Sequence, residues 1–292
     1  MKRLVVAAIL LVMVSGLAIA QKKTKDYFRE AATELSAGKI DQAIADFQKG
    51  LALQPKIKEA WYNLGIAYSR KGNHAKEIEA YKKSLEIDPQ YENALYNLSV
   101  CLMEAGKYTE AETYLKKLVA KNPKAPDALN NLGVAMLKQG KYDDAVKYFS
   151  QVLQVSPTMV EAQFNKGLAL LQKFRKTKDN ASLNQAIAAF KDVLAKRKGF
   201  YRAAYNMGVA WHLKGDQDQE IKAYKLALQA KPDYYPALYN IAVIYTNKGQ
   251  HKEAIKAWKA YIKNAADEAT ETRFVKRAKE QVKILSGIKS KS

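Results

Sequence analysis

The side chains best suited to chemistry in this sequence are three histidines and one cysteine. No two of His74, His212 and His251 have the spacing of metal ligands, and none lies near a candidate nucleophile. Cys101 stands alone, which excludes an intramolecular disulfide and a cysteine-cluster metal site, and a buried inert thiol is expected there. The sequence contains no HExxH motif and no phosphate-binding glycine loop. It therefore predicts a protein that is not an enzyme, with no catalytic residue, no metal and no cofactor.

A second group of polar side chains recurs at a fixed interval. Asn63 interrupts the apolar stretch AWYNLGIAYSRKG (residues 60–72), and the same register position holds asparagine six times, at Asn63, Asn97, Asn131, Asn165, Asn206 and Asn240. Inside helices these six cost about 3–4 kcal/mol relative to alanine. An amide offers a donor and an acceptor together, so a row of amides could offset that cost by holding the backbone of an extended guest. Hydrogen bonds to neighbouring helices are the alternative, and the sequence leaves both open.

Glycine and proline give the chain a period of 34 residues. The turn glycines are Gly38, Gly72, Gly106 and Gly140, then Gly215 and Gly249; the closing prolines are Pro55, Pro89, Pro123 and Pro157, then Pro232. Seven extra residues lie between Gly167 and Ala186, in or beside the polar stretch KFRKTKDNAS (173–182). Apolar residues within each repeat have helical spacing, so each repeat is predicted to be a helical hairpin.

A 34-residue period carrying Trp, Leu-Gly, Tyr, an aromatic residue and a closing Pro resembles the tetratricopeptide repeat. The match is most complete in WYNLGIAYSRKG followed by YKKSLEIDP (81–89). The resemblance implies an all-α, right-handed α-solenoid (superhelix) of seven antiparallel helix-turn-helix repeats plus a C-terminal capping helix. The predicted ranges are 1–20 for a signal peptide, then 24–57, 58–91, 92–125, 126–159, 160–200 (with the insertion), 201–234 and 235–266 for the repeats, and 267–288 for the capping helix.

Two parts of this pattern need a structural explanation. Glu77 and Glu220 occupy a second-helix position where five other repeats have alanine, so each carboxylate needs a partner or a shifted helix. The capping helix is expected to turn one face inward, formed by Phe274, Ala278, Val282 and Leu285, and a basic docking helix is the alternative.

The asparagines lie on a different side of the first helix from its core stripe. In tetratricopeptide proteins that side lines the concave groove, which implies a peptide-binding groove here. Besides the six asparagines it would carry the aromatic residues Tyr62, Tyr96, Phe164, Tyr205 and Tyr239, and the aliphatic residues Ile66, Val100, Val134, Leu168, Val209 and Val243. The carboxylate clamp of some family members is not expected, because apolar and aromatic residues stand at its basic positions.

The chain is strongly basic, with 49 Lys+Arg, 29 Asp+Glu and a formal charge of +20. Equivalent second-helix positions carry Lys82, Lys116, Lys191, Lys225 and Lys259, which predict a basic convex face. Such a stripe is either a solvated surface or a contact for an anionic envelope polymer, a membrane surface or an acidic protein.

Residues 1–20 have the layout of a secretory signal peptide: a basic start at Lys2 and Arg3, an apolar run, and Ala18-Ile19-Ala20 before Gln21. Cleavage after Ala20 would leave 47 basic and 29 acidic residues, a formal charge of +18. An uncleaved inner-membrane anchor is the alternative. Export makes nucleic acid an unexpected partner and would place the protein in the periplasm if the cell is a Gram-negative bacterium.

The sequence thus favours a non-enzymatic scaffold or adaptor of the cell envelope, which binds an extended segment of a protein or peptide partner in the Asn-lined groove. The alternative function is a tether that docks on an anionic envelope surface through its basic convex face.

Overall fold

The computed structural model describes residues 23–289, and over that range the fold is helical, without a strand. The chain forms two compact units that divide between Gln139 and Gly140. The predicted signal peptide lies outside the described residues. Among the helices of residues 23–289, none is long and apolar enough to cross a membrane.

The N-terminal unit contains seven helices: α1 (residues 23–36), α2 (Ile40–Leu53), α3 (Lys58–Arg70), α4 (His74–Ile87), α5 (Glu92–Glu104), α6 (Tyr108–Lys121) and α7 (Pro126–Lys138). The C-terminal unit contains α8 (Tyr142–Val155), α9 (Val160–Thr177), α10 (Asn180–Lys196), α11 (Tyr201–Lys214), α12 (Gln217–Ala230), α13 (Tyr235–Asn247), α14 (His251–Ala265) and α15 (Thr272–Lys289), with a 3-10 turn at Ala269–Glu271 before α15. Consecutive helices pack on one another within each unit, as an α-solenoid requires.

The predicted turn glycines end the first helices for a conformational reason. Gly38, Gly72, Gly106, Gly140, Gly215 and Gly249 all have φ between 67° and 82°, a region that other residues enter at a cost. After α3, the N–H of Asn73 donates to the carbonyl of Tyr68 at 2.9 Å, and the Asn73 side chain accepts from the backbone N–H of Lys76. One short turn therefore closes α3 and caps α4.

A glycine in the middle of the first helix, Gly65 or Gly208, marks a close approach of two helices. A Cβ atom placed on Gly65 would lie 2.5 Å from the ring of Tyr81, and one on Gly208 would lie 2.5 Å from the ring of Tyr224. Both tyrosines are fully buried, with 2% and 1% of their surface exposed. The second helix of the repeat thus packs its aromatic side chain directly on the glycine of the first.

The seven-residue insertion lengthens both helices of the fifth repeat. Helices α9 and α10 have 18 and 17 residues, whereas α3 and α4 have 13 and 14, and the turn between α9 and α10 is one residue shorter. Lys178 takes the left-handed conformation (φ 59°) that glycine supplies elsewhere, and Asp179 caps α10. Phe174, which lies in the added turn of α9, is buried, as is Ser182 in the added turn of α10. The polar stretch is therefore mostly helix with a buried apolar side.

Helix α15 packs on α14 with the predicted face except at its first position, where Val275 replaces Phe274. Val275, Ala278 and Leu285 are buried and Val282 is half-buried, with spacings of three, four and three residues. The inward position predicted for Phe274 is wrong, because 42% of its surface is exposed. Its ring instead packs edge-on against another aromatic residue, Tyr239 of α13.

Candidate functional site

In the N-terminal unit, predicted groove residues surround one cavity. Tyr96, Asn97 and Val100 of α5 and Ile66 of α3 line a space of about 400 Å³. Asparagine, aromatic and aliphatic side chains from two successive first helices therefore meet at one concave surface.

The wall of this cavity carries two groups that can ligate a metal, Glu77 and Cys101, and a third such group, His74, lies beside them. The Nδ1 atom of His74 lies 3.0 Å from Oε2 of Glu77, and the Sγ atom of Cys101 completes a group whose ligand atoms all lie within 4.8 Å of one another. Glu77 and Cys101 are buried, with 6% and 3% of their surface exposed, whereas His74 is exposed. Burial raises the pKa of the Cys101 thiol to about 12, and the neighbouring Glu77 carboxylate adds to that rise.

The C-terminal unit contains an equivalent cavity of about 410 Å³. Val209, Tyr239, Asn240 and Val243 line it, together with a second buried glutamate, Glu220.

Histidine again partners the buried carboxylate. The Nδ1 atom of His212 lies 3.1 Å from Oε1 of Glu220. Burial raises the pKa of Glu220, while His212 opposes that rise. The two glutamates that depart from the alanine pattern are thus each buried beside a histidine. Ile244 stands at the register position of Cys101, so the second cluster has no sulfur.

The six asparagines fall into two groups by their hydrogen bonds. The Nδ2 group of Asn97 donates to the Tyr62 hydroxyl at 3.2 Å and the Tyr81 hydroxyl at 3.5 Å, and that of Asn240 donates to the Tyr224 hydroxyl at 3.0 Å. The remaining bonded amide, Asn206, donates to the carbonyl of Arg202 in its own helix.

The other three, Asn63, Asn131 and Asn165, make no side-chain hydrogen bond within residues 23–289. Over the same range none of the six Oδ1 atoms accepts a hydrogen bond, and all six residues are half-buried. A set of acceptors therefore remains for a ligand.

Most groove aromatics are covered by an aromatic residue from the linker before the next first helix. Tyr62 contacts Tyr91 edge-on, with ring centroids 5.5 Å apart, and Tyr205 contacts Tyr234 at 5.3 Å. Tyr96 is the exception: the linker position holds Ala125, and 37% of Tyr96 is exposed. Tyr96 is thus open to a guest.

Phe164 is placed in the core of the C-terminal unit. Its ring lies between Phe190 and Phe200, with centroids 5.9 and 5.0 Å away, and only 4% of its surface is exposed. The prediction that the Phe164 ring lines the groove surface is wrong, because the ring is buried and unavailable to a guest. Tyr239 remains half-buried, with its ring against Trp258 and Phe274.

The row of aromatics also has a gap that sequence inspection passed over. Asn130 stands at the register position of Tyr96, and its Oδ1 atom is buried with no hydrogen-bond partner in the part of the chain described. The gap could have been found in the sequence, because Asn130 precedes the repeated asparagine Asn131 where the other repeats have an aromatic residue.

The predicted basic stripe is heterogeneous. Lys82 pairs with Glu110 at 3.3 Å and Lys116 with Glu112 at 2.6 Å. In the C-terminal unit the ammonium group of Lys191 instead lies over the Trp211 ring. Lys225 lies over Tyr245 in the same way, and Lys259 is exposed. Because an aromatic ring does not cancel a positive charge, the stripe keeps more net charge in the C-terminal unit.

The cluster of His74, Glu77 and Cys101 was missed because sequence reasoning searched for paired histidines and clustered cysteines. The spacing of three residues between His74 and Glu77 on one helix was visible. The approach of Cys101 follows only from the packing of α5 on α4.

Comparison with known families agrees with this architecture. Residues 20–163 match the model described as the tetratricopeptide domain of cytochrome c-type biogenesis protein H, and residues 178–235 and 236–267 match two further tetratricopeptide repeat models. The chain belongs to the tetratricopeptide repeat family. No curated protein matches it significantly.

Solved structures give the same fold. A tetratricopeptide protein of Cytophaga hutchinsonii superposes with a TM-score of 0.69 at 16% identity, covering 87% of this chain and 99% of that one. YrrB, a tetratricopeptide protein with an unusual peptide-binding site, gives 0.56 at 22% identity, covering 66% and 96%. MamA gives 0.55 at 25% identity, covering 60% and 92%. The fold indicates a scaffold for protein–protein interaction.

Proposed function

We propose that this protein is a non-enzymatic adaptor of the cell envelope, which binds an extended segment of a partner protein along the face that carries the asparagines. The observation that carries the proposal is the set of six half-buried asparagine side chains whose Oδ1 atoms accept no hydrogen bond within residues 23–289. YrrB, with its peptide-binding site, supports peptide binding as a use of this fold. The signal-like layout of residues 1–20 and the match to a cytochrome c-type biogenesis domain support the envelope location.

Free amide oxygens suit a guest of any sequence, because every non-proline residue of an extended chain offers a backbone N–H. First helices pack about 10 Å apart and an extended chain rises about 3.3 Å per residue, so each asparagine would meet about every third guest residue. Side-chain preference would come from the cavities beside Asn97 and Asn240, and from Tyr96, whose ring is uncovered.

Photocrosslinking at Tyr96 tests the proposal. A benzophenone amino acid at this position would lie on the proposed binding face, and the same amino acid at Lys259 serves as the control on the predicted convex face. We expect Tyr96 crosslinks from envelope extract to map to a single linear stretch of a partner, absent from the Lys259 control. Crosslinks scattered over folded surfaces, or identical from both positions, would rule out a groove for an extended segment.

A variant that tests the contribution of the asparagines to guest binding replaces Asn63, Asn131 and Asn165 by alanine. These three amides make no hydrogen bond to the described chain, so the fold loses no hydrogen bond in the variant. Three guest bonds at about 1 kcal/mol each correspond to about a hundred-fold loss of affinity. Alanine substitution of Asn184, which is exposed on α10 and lines neither cavity, is the control.

A second function, docking on an anionic envelope surface, is favoured by the basic residues of the C-terminal unit. Lys191 and Lys225 face rings instead of carboxylates, and Lys259 is exposed, so their charge remains for a ligand. Binding to anionic vesicles that falls steeply between low and physiological salt would support the tether, whereas groove binding through amides would change little.

A further inference from the structure

We infer that the N-terminal unit holds a zinc-type metal site formed by His74, Glu77 and Cys101. The site goes beyond the proposed peptide binding and does not depend on it. The three ligand atoms already lie within 4.8 Å of one another, and they come from the start of α4 and the middle of α5.

The donor set is the one that zinc prefers. Thiolate, imidazole and carboxylate are its usual ligands, and sites with three protein ligands leave a fourth position to water or another ligand. Glu77 and Cys101 line the cavity next to Asn97, so that fourth position is within reach of solvent in the cavity. Softer thiolate and imidazole ligands disfavour magnesium and calcium, which take oxygen.

Comparison among the repeats indicates that these residues are placed together. Five other repeats have alanine at the position of Glu77, and alanine fills the position of Cys101 at Ala67, Ala135, Ala169 and Ala210. Within residues 23–289, the contact of α4 with α5 is where the carboxylate of Glu77 meets the sulfur of Cys101. The packing of this contact needs neither side chain, since alanine serves at the same contact elsewhere.

The C-terminal unit provides an internal control. Glu220 is buried beside His212 in the same way, but Ile244 stands in place of the cysteine, and the described residues add no third His, Cys, Asp or Glu ligand to that pair. If the histidine served only as the partner of a buried carboxylate, the pairs His74–Glu77 and His212–Glu220 would respond to added metal in the same way. A metal site would exist only at Cys101.

The experiment is a cobalt titration of the reduced, tag-free full chain. We expect one Co²⁺ ion per chain, a thiolate-to-cobalt charge-transfer band in the near ultraviolet, and loss of that band when Zn²⁺ is added. Cys101→Ala should abolish the band and should fold normally, because alanine occupies the equivalent position in other repeats. His74→Ala and Glu77→Gln should weaken binding by more than about tenfold, the loss that even outer-shell substitutions cause.

His212→Ala and Glu220→Gln are the matched controls and should leave the titration unchanged. Zn²⁺ should also raise the thermal midpoint of the wild type and leave that of Cys101→Ala unaltered. Absence of the band at saturating Co²⁺ would overturn the inference. So would a band of unchanged affinity in His74→Ala and Glu77→Gln, since the cysteine would then bind cobalt without the other two ligands.

Discussion

Replacing single asparagines by alanine should change stability in opposite directions at Asn97 and Asn131. Alanine favours a helix over asparagine by about 0.6 kcal/mol. At Asn131 no hydrogen bond to the described chain is lost, so the variant should be more stable by about that amount. At Asn97 the amide bonds the hydroxyls of Tyr62 and Tyr81, and Tyr81 is only 2% exposed.

The magnitude at Asn97 follows from those two contacts. Loss of the 3.2 Å bond to Tyr62 costs about 1 kcal/mol, and leaving the buried Tyr81 hydroxyl without this donor costs at least about 1 kcal/mol more. After the gain in helix propensity, Asn97→Ala should be less stable by about 1–2 kcal/mol. Asn240→Ala should fall between the two, because it loses one hydrogen bond, to the Tyr224 hydroxyl, whereas Asn97→Ala loses two.

Urea denaturation followed by circular dichroism gives the ranking directly. A double-mutant cycle with Tyr62→Phe should return a coupling of about 1 kcal/mol with Asn97→Ala. If Asn97→Ala is as stabilising as Asn131→Ala, or the coupling is absent, the hydrogen bonds assigned to Asn97 do not contribute to the fold and the division of the asparagines is wrong.

Three further predictions concern the packing, the turn and the buried carboxylate. Gly65→Ala and Gly208→Ala should each destabilise the chain by about 1–3 kcal/mol, because the added methyl group overpacks against a tyrosine ring. Gly287→Ala should not destabilise it, because a Cβ atom there meets no other atom within 4 Å. Thermal unfolding compares the three variants. Lys178→Gly should raise stability by about 1 kcal/mol, since it relieves a left-handed backbone, and an unchanged urea midpoint would refute this. Burial raises the pKa of Glu220 in the folded chain above its value of about 4 in the unfolded chain. Between these two pKa values the folded chain holds a proton that the unfolded chain has released, so the stability of the fold decreases as the pH rises through that range. Glu220→Gln should therefore gain stability relative to the wild type over that range, and parallel pH profiles would contradict it.

The helical hairpins could be predicted from the sequence because single residues, repeated at a fixed interval, determine their turns and their helix contacts. A positive φ selects glycine at the turns, and Gly65 makes room for a tyrosine ring, so both leave a period in the sequence. The insertion was located correctly by counting. Its form was hidden because Lys178 occupies the turn and the added turn of α9 buries Phe174 within a mostly polar stretch.

The candidate site was less accessible because neighbours outside the motif decide exposure. Tyr96 and Phe164 share one register position, yet Ala125 leaves the first open and Phe200 covers the second. The meeting of Glu77 with Cys101 likewise depends on the contact of two helices, which no local spacing reveals.

Binding of an extended segment is the central claim, and one measurement tests it most directly. The linear peptide recovered from Tyr96 crosslinks would be synthesised and titrated by calorimetry against the wild type, the alanine triple variant of Asn63, Asn131 and Asn165, and the Asn184→Ala control. We predict about a hundred-fold weaker binding to the triple variant, from three lost hydrogen bonds of about 1 kcal/mol each, and no change in the control. Equal affinity for all three folded proteins would contradict the claim.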